Sequence, residues 1–408
     1  MEMLKPITNL YRLFVFFLAG IVLLSCNTTD QSSSIDLTEN QSVSVFDVFS
    51  EVQVIKLETT EDNLITDIRR IEYFNSRYYI LDERSQQIFC FDEEGNFVFK
   101  INSQGRGQGE YHYITDIAID RKNNQLVVLD PVVQRVHFFD LSGNYLISRD
   151  VKTEKVMGLI RVYPLEDSIL LFTSFSKELL QFYSLKEEKM IYADFSYDVA
   201  STLHAFDPMD NVFFYDDKVL FFVPLSREIV DVSQMIPQPY ITWCFGVHNN
   251  SEQQINRLIE EINIKEQKSE SIMLPYEVVG QGRILNHQIM KSFENNRFRI
   301  AAMEFDDNFK FVIQDKMGQH NLVFSSFKEG IRFPFQSMHP DRSIVYYQPE
   351  IGPREIDMME SRGLLEYFFG RNWTLYTPDI LQENGRQIIA NHNPMTDNPF
   401  LVVYKFRE

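Results

Sequence analysis

The segment GRGQGEY, from Gly105 to Tyr111, is the densest cluster of residues that could contact a ligand. Glycines let a backbone approach phosphate groups closely, as in nucleotide-binding loops. The segment lacks the Gly-Lys-Ser/Thr ending of a P-loop, its glycine spacing differs from the dinucleotide-binding pattern, and a strand pattern follows it instead of a helix. We interpret it first as a tight crossing in which Tyr111 packs. The alternative is ligand contact at a rim, by Arg106, Glu110, Tyr111 and His112.

Carboxylates and histidines form no recognisable catalytic or metal-binding pattern. Asp82, Asp92, Asp130 and Asp140 recur, but each stands alone at the end of an apolar run. Calcium needs about six to eight converging oxygens, so turn capping is the expected role of these carboxylates. The 8 histidines are scattered without a close pair, and no Gly-x-Ser-x-Gly elbow occurs. We predict no catalytic residue, no metal and no cofactor.

The amino terminus predicts export. Lys5 and Arg12 precede an apolar run, Leu13 to Leu24, that is shorter than the ~20 residues needed to span a bilayer. This arrangement is typical of a secretory signal peptide. The run ends in Leu-Leu-Ser-Cys, which resembles the bacterial lipobox, whose cysteine carries the lipid of the mature protein. We predict a signal peptide over residues 1–25, lipidation of Cys26 and a flexible tether over residues 26–42.

Charge and the remaining cysteines limit the possible partners. The net charge is −19 and no basic run occurs, which argues against nucleic acid because phosphate contacts need clustered Lys and Arg. Cys90 and Cys244 lie inside apolar stretches, as buried thiols do. An exported compartment also permits a disulfide, so their pairing stays open.

Internal repetition is the strongest architectural signal. The segment from Tyr79 to Asn96 aligns with the segment from Val127 to Asn144, and Asp82/Asp130, Asp92/Asp140, Gly95/Gly143 and Asn96/Asn144 match at one offset of 48 (130 − 82). Each copy contains apolar strand patterns joined by turns rich in Asp, Gly and Asn. Periods of about 40–50 residues with several strands each indicate a β-propeller.

Weaker copies continue along the chain, and two strand patterns at its ends are expected to share one blade. These are Val52 to Thr59 and Phe400 to Phe406, whose pairing would remove the exposed sheet edges. The fold predicted for residues 43–408 is all-β, a six-bladed β-propeller. The copies are the segments 168–188, 218–233, 297–315, 321–330 and 343–350.

One helical insertion interrupts this rhythm. Ile255, Leu258, Ile259 and Ile262 follow helical spacing, and Ser251 with Gln254 resembles a capping box. We predict a helical insertion near residues 249–270 and a second irregular, partly helical stretch over 353–369.

The motif GRGQGEYHYITDIAID (105–120), the lipobox and the terminal NPFLVVYKF (398–406) together resemble the six-bladed β-propeller lipoproteins of Bacteroides-type bacteria, related in shape to NHL-type propellers. Gln108 stands where that family usually has Pro, which loosens the turn. The resemblance spans nearly the whole mature chain and is strongest over residues 64–147 and at the C-terminus. It implies an envelope lipoprotein, at the outer membrane, and carries no agreed activity.

Two functions are therefore expected. The first is a non-catalytic binding or scaffold module, lipid-anchored in the cell envelope, with a protein or glycan partner at the propeller rim and, by resemblance, a link to nutrient capture. The alternative is a propeller enzyme, a calcium-dependent lactonase or a polysaccharide-cleaving hydrolase or lyase, with carboxylates or histidines converging at the central channel.

Overall fold

A computed structural model describes residues 34–151, 159–174, 178–196, 211–224, 226–266, 284–306, 308–346 and 376–408. The expected signal peptide, Cys26 and the stretch 353–369 lie outside these ranges. Within them the chain forms six four-stranded antiparallel sheets. The predicted six-bladed β-propeller is confirmed.

Blades 1 and 2 contain the two clear sequence repeats. Blade 1 consists of β2 (Ile68–Phe74), β3 (Arg77–Asp82), β4 (Gln87–Asp92) and β5 (Phe97–Ile101), and blade 2 consists of β6 (Asp116–Asp120), β7 (Gln125–Asp130), β8 (Arg135–Asp140) and β9 (Tyr145–Asp150). Matching repeat residues occupy matching places, since Asp82 and Asp130 end the second strands and Asp92 and Asp140 end the third. The repeat is therefore one structural unit.

The weaker copies form blades 3 to 5. Blade 3 consists of β10 (Leu159–Pro164), β11 (Ile169–Ser174), β12 (Glu178–Ser184) and β13 (Lys189–Ser196). Blade 4 consists of β14 (Val212–Tyr215), β15 (Lys218–Phe222), β16 (Glu228–Asp231) and β17 (Gln238–Thr242). Blade 5 consists of β18 (His287–Glu294), β19 (Phe298–Phe305), β20 (Asn308–Asp315) and β21 (His320–Phe324).

Blade 6 closes the ring with strands from both ends of the chain. Its order is β22 (Ser337–Met338), β23 (Arg342–Tyr346), β24 (Phe400–Phe406) and β1 (Phe49–Lys56). Val54 lies opposite Val402 in the antiparallel pair of β1 and β24. The two terminal strands thus share one blade, as expected.

The core lies between the blades because side chains of each strand alternate between its two faces. Tyr78 and Ile80 of β3 pack with Leu401 and Val403 of blade 6. Tyr79 and Leu81 pack with apolar residues of blade 2. Each blade therefore buries both faces only against its neighbours. First strands also contact each other across several blade boundaries: β22 with β2, β2 with β6, β6 with β10 and β14 with β18.

Three α-helices accompany the strands in the described residues: α1 (Val45–Val48), α2 (Glu252–Glu266) and α3 (Glu383–Ala390). Helix α2 lies between blades 4 and 5, where the helical insertion is predicted. The Ser251 side chain accepts from the Gln254 backbone N–H at 3.2 Å, and the Gln254 side chain accepts from the Ser251 N–H at 2.9 Å, so the capping box is formed. Leu258 is buried and Ile255 is half-buried.

Two further expectations concern the membrane and the thiols. Across the described ranges, no helix has the length and apolar character required to pass through a bilayer. Cys90 is a buried free thiol between blades 1 and 2, so it does not pair with Cys244. Burial raises the pKa of Cys90 to about 12, which keeps this thiol protonated and unreactive.

Candidate functional site

The GRGQGEY segment forms a closed turn between β5 and β6. The Gly105 N–H donates to the Tyr111 carbonyl, and the Tyr111 N–H donates to the Ser103 carbonyl, both at 2.9 Å. The Glu110 carboxylate accepts from the Gly107 N–H at 2.6 Å. Glu110 therefore holds the turn from within.

Tyr111 anchors this turn to the core. Its side chain is fully buried, and its hydroxyl donates to the Gln86 carbonyl at 2.9 Å while it accepts from the Ser103 N–H at 3.2 Å. Burial raises the pKa of Tyr111 to about 12, so the hydroxyl stays protonated. The structure thus gives Tyr111 a supporting place beneath the surface.

His112 continues the anchoring through its backbone. The His112 N–H donates to an Asp130 carboxylate oxygen at 2.6 Å, and the Val132 N–H donates to the other oxygen at 3.1 Å. The carboxylate of Asp130 therefore ties the crossing to the loop after β7. The imidazole of His112 is half-buried.

The recurring aspartates cap turns, which is the role expected for them. Asp92 accepts from the N–H groups of Glu94 and Asn96 at 3.1 and 2.8 Å. Asp82, at the end of β3, accepts from the N–H groups of Thr66 and Arg84 at 2.7 and 3.0 Å. Backbone donors, rather than a shared ligand, occupy these carboxylates.

Arg106 faces a pocket of about 480 Å³ between this turn and the outer strand of blade 2. Among the residues that the structure describes, no aliphatic or other purely apolar side chain lines it. Gly109 lies where the turn meets Tyr145 of β9, and its φ is +81°. A Cβ at this position would come within 2.8 Å of the Tyr145 ring, so no side chain fits there. The lining consists of Arg106, Gly107, Gln108, Gly109, Arg135, Tyr145, Ser148, Arg149, Asp150 and Glu188.

Three arginines and two carboxylates set the charge of this pocket. Arg135 is paired with Asp150, since its Nε and Nη2 both lie 2.8 Å from the Asp150 Oδ1. Arg106 and Arg149 are exposed and form no ion pair with any residue that the structure describes. The chain is strongly acidic overall, so two unpaired guanidinium groups in one concave site are the clearest candidate for ligand contact.

A chain of hydroxyl and imidazole groups runs from the pocket into the blade. The Tyr145 hydroxyl lies 3.0 Å from the Ser148 hydroxyl, which lies 2.9 Å from His137 Nδ1. His137 is fully buried, and burial lowers its pKa to about 4, so the imidazole is neutral near pH 7.

Sequence reasoning named Arg106 but missed Arg149, Tyr145 and Ser148. Their signal is visible only when blade 2 is compared with blade 1 at the offset of 48. Phe97, Lys100 and Ile101 of β5 are replaced in β9 by Tyr145, Ser148 and Arg149, and the buried Phe89 of β4 is replaced in β8 by His137. The imidazole at the core position of His137 marks a local requirement other than stability.

The first strands of the blades carry a different set of charged groups. Arg70 of β2 bonds Glu72 at 2.7 Å, and Arg161 of β10 bonds Asp116 of β6 at 2.6 Å. Glu72 and Asp116 are thus each paired with an arginine. Among the residues that the structure covers, no three His, Cys, Asp or Glu side chains come close enough to share a metal ion.

One solved structure agrees with this architecture. A solved structure from Bacteroides fragilis NCTC 9343, of a protein whose name describes it as exported, has 15% sequence identity and a TM-score of 0.64, covering 91% of this chain and 98% of that one. A second, a member of the duf4221 family from Bacteroides vulgatus atcc 8482, has 10% identity and a TM-score of 0.46, covering 88% and 98%. No curated protein sequence matched the chain.

A family model provides the classification. The model of DUF5128, described as a 6-bladed beta-propeller, matches residues 24–294, which is well over half of the 408 residues. The six sheets seen here agree with that description. The chain therefore belongs to the DUF5128 family of six-bladed β-propellers.

Proposed function

We propose that this protein is a non-catalytic binding module, held in the cell envelope by a lipid on Cys26, whose ligand enters the pocket between the Gly105–Tyr111 turn and the outer strand of blade 2. The observation that carries the proposal is the pair of arginines, Arg106 and Arg149, which have no ion-pair partner among the described residues and lie in an open site of about 480 Å³. A volume of this size is typical of ligand sites, which run from about 300 to 1,000 Å³.

Rigid support favours recognition at this place. Tyr111, Glu110 and Asp130 fix the turn that carries Arg106, and the opposite wall is a strand of blade 2. Binding groups held on packed elements lose little entropy when a ligand binds. The partner is a glycan or a protein that presents a polar group to the rim.

The lipid anchor rests on the lipobox ending at Cys26, and an outer-membrane location on the family resemblance. We expect the native chain to sediment with membranes and the Cys26→Ser variant to be soluble after export. Mass spectrometry of the amino-terminal peptide checks whether the Cys26 sulfur carries a lipid. A Cys26→Ser variant that stays in the membrane fraction would contradict the anchor.

The enzyme alternative places the chemistry at the central channel. It would require carboxylates that are free to bind calcium or to transfer protons. Glu72 and Asp116, on the first strands, are instead held by arginines. The binding module is therefore the better supported function.

An affinity capture experiment tests the binding proposal. The full-length chain, purified in detergent, is used on a glycan array and against envelope extracts. We expect capture of one glycan class or one membrane protein, lost in the Arg106→Ala/Arg149→Ala double variant. Arg84→Ala is the matched control because Arg84 is also exposed but lies outside the pocket lining. Equal capture by the double variant would exclude this pocket.

A further inference from the structure

We propose that the pocket binds an acidic saccharide residue, and that His137 and Ser148 orient the Tyr145 hydroxyl as a donor to its anionic group. This inference rests on the proposed binding function and names its ligand class. It makes Tyr145, Ser148 and His137 positioning residues for recognition. Three features of the site support this inference. They are the difference between blades 1 and 2 at His137, the tautomer of the His137 ring and the polar lining of the pocket.

Blade 1 folds without the hydrogen-bonded chain of Tyr145, Ser148 and His137, so this chain is not needed for the fold of a blade. In blade 1 the equivalent cross-strand pair is Phe89 with Lys100, and Phe89 is buried without a polar partner of its own side chain. In blade 2 the pair is His137 with Ser148. An imidazole at an apolar position costs free energy unless its nitrogens are hydrogen-bonded. The presence of His137 there therefore points to a role in the adjoining pocket.

The tautomer of His137 follows from its two nitrogens. Nδ1 lies 2.9 Å from the Ser148 hydroxyl, whereas Nε2 is buried with no hydrogen-bond partner in the part of the chain that the structure covers. A buried N–H without an acceptor is rarer than a buried acceptor without a donor. The proton of the neutral ring is therefore on Nδ1, and Nε2 carries only a lone pair facing the core.

This tautomer sets the direction of the whole chain of hydroxyls. The His137 Nδ1–H donates to the Ser148 oxygen, so the Ser148 hydroxyl donates to Tyr145. The Tyr145 O–H is then free to donate into the pocket. With Arg106 and Arg149 it completes a set of donors that suits a carboxylate or sulfate oxygen, because hydrogen bonds to charged acceptors are the strongest ones.

The rest of the lining favours a saccharide over an acidic peptide. Asp150 and Glu188 add carboxylate acceptors that suit the hydroxyl groups of a sugar, and Gln108 adds an amide. The described lining contains no aliphatic residue that could take up an apolar side chain of a peptide. The volume of about 480 Å³ accommodates one or two sugar rings.

The test uses D-glucuronate, D-glucose 6-sulfate and D-glucose as probes of the full-length protein, with affinities measured by calorimetric titration. We expect both acidic sugars or one of them to bind, which identifies carboxylate or sulfate as the anionic group, and D-glucose to bind at least tenfold more weakly. Loss of one hydrogen bond to a charged group weakens binding roughly tenfold. We expect that loss for Tyr145→Phe and Ser148→Ala, and none for Tyr113→Phe, the control hydroxyl, which contacts Glu83 on another loop.

The outcomes separate the two proposals. If the Arg106→Ala/Arg149→Ala variant loses binding while Tyr145→Phe and Ser148→Ala match the native protein, the hydroxyl chain is wrong and the binding site stands. Equal binding of D-glucose overturns the acidic ligand class alone. If the double variant captures its envelope partner as well as the native protein does, the binding site itself is wrong.

A spectroscopic measurement tests the tautomer directly. In protein labelled with ¹⁵N-histidine, the His137 ring is assigned by its absence in His137→Phe. We expect a neutral ring with a protonated Nδ1 near pH 7. A protonated Nε2 would reverse the direction of the hydroxyls and overturn the proposed role of Tyr145.

Discussion

At the scale of single residues, the repeated aspartates differ in burial and in the number of hydrogen bonds that they accept. Asp82 and Asp92 both belong to the repeat, yet Asp82 is fully buried and Asp92 lies in a partly exposed turn. The carboxylate of Asp82 accepts from four backbone N–H groups in two separate loops, at 2.7 to 3.2 Å. It joins the entry to blade 1 with the loop after β3.

Asp82→Ala is therefore expected to destabilise the fold strongly. It would remove the charged acceptor of four part-buried backbone donors. Hydrogen bonds to charged groups contribute about 1.5–3 kcal/mol each, so we expect the free energy of unfolding to fall by about 3 kcal/mol or more. Asp92→Ala, at the exposed turn, should cost about 1 kcal/mol. Urea denaturation of both variants measures the difference, and equal losses would show that the buried bonds of Asp82 contribute little.

His137 predicts how stability depends on pH. Burial lowers its pKa from 6.5 to about 4, and the nearby Arg135 lowers it further while Asp130 opposes the shift. As the pH falls through 6.5 the unfolded state takes up a proton and the native state does not. Stability is thus lost between about pH 6.5 and pH 4.

His137→Phe, which restores the residue type of blade 1, should remove this dependence. Between about pH 7 and pH 4.5 we expect the native protein to lose about 2 kcal/mol more unfolding free energy than the variant. Other groups titrate equally in both proteins, so the difference isolates His137. An identical pH dependence would mean that the imidazole is hydrated in the folded protein.

At the scale of elements, the turns of one blade are fitted to the last strand of the blade before it. Gly95, in the turn between β4 and β5, has φ +90°, and its carbonyl accepts from the Glu58 N–H at 2.8 Å. A Cβ at Gly95 would overlap the Lys56 carbonyl of β1. The sequence Asp-x-x-Gly-Asn thus serves both the hairpin and the blade boundary.

Gly95→Ala should consequently lower the free energy of unfolding by more than the strain of a positive φ alone would. Gly330 is the matched control, because it has φ +81° and no atom within 4 Å of a Cβ. We expect Gly330→Ala to lower stability by about 1 kcal/mol and Gly95→Ala by at least twice that amount. Thermal unfolding of the two variants provides the comparison. Equal losses would show that β1 moves aside without cost.

The sequence predicted most elements because repeats, terminal strands and the capping box are local signals. It did not predict β22, since two residues carry no periodicity, or α3, which is only two turns long. The site was predicted in part. Arg106 lies in a conspicuous motif, whereas Arg149 and Tyr145 reach the same pocket only through the packing of blade 2 against the turn. Spatial convergence of this kind leaves no spacing pattern.

At the scale of the whole molecule, the ring depends on β24. Val403 lies in register with Gln53 of β1 and with Ile344 of β23, so it stands in the middle of the sheet that joins the two ends of the chain. Because each blade buries its faces only against its neighbours, opening blade 6 exposes the core on both sides of the gap.

Val403→Pro therefore tests closure of the ring. Proline removes a backbone donor and is not tolerated inside a central strand, so we expect a loss of about 3 kcal/mol or more and rapid proteolysis of the whole chain. Val98→Pro is the matched control, since Val98 is exposed at the bulge of the outermost strand β5 and has no cross-strand partner. It should cost about 1 kcal/mol at most. If both variants resist protease equally, the blades are stable without closure, and the terminal pairing only restrains the ends of the chain.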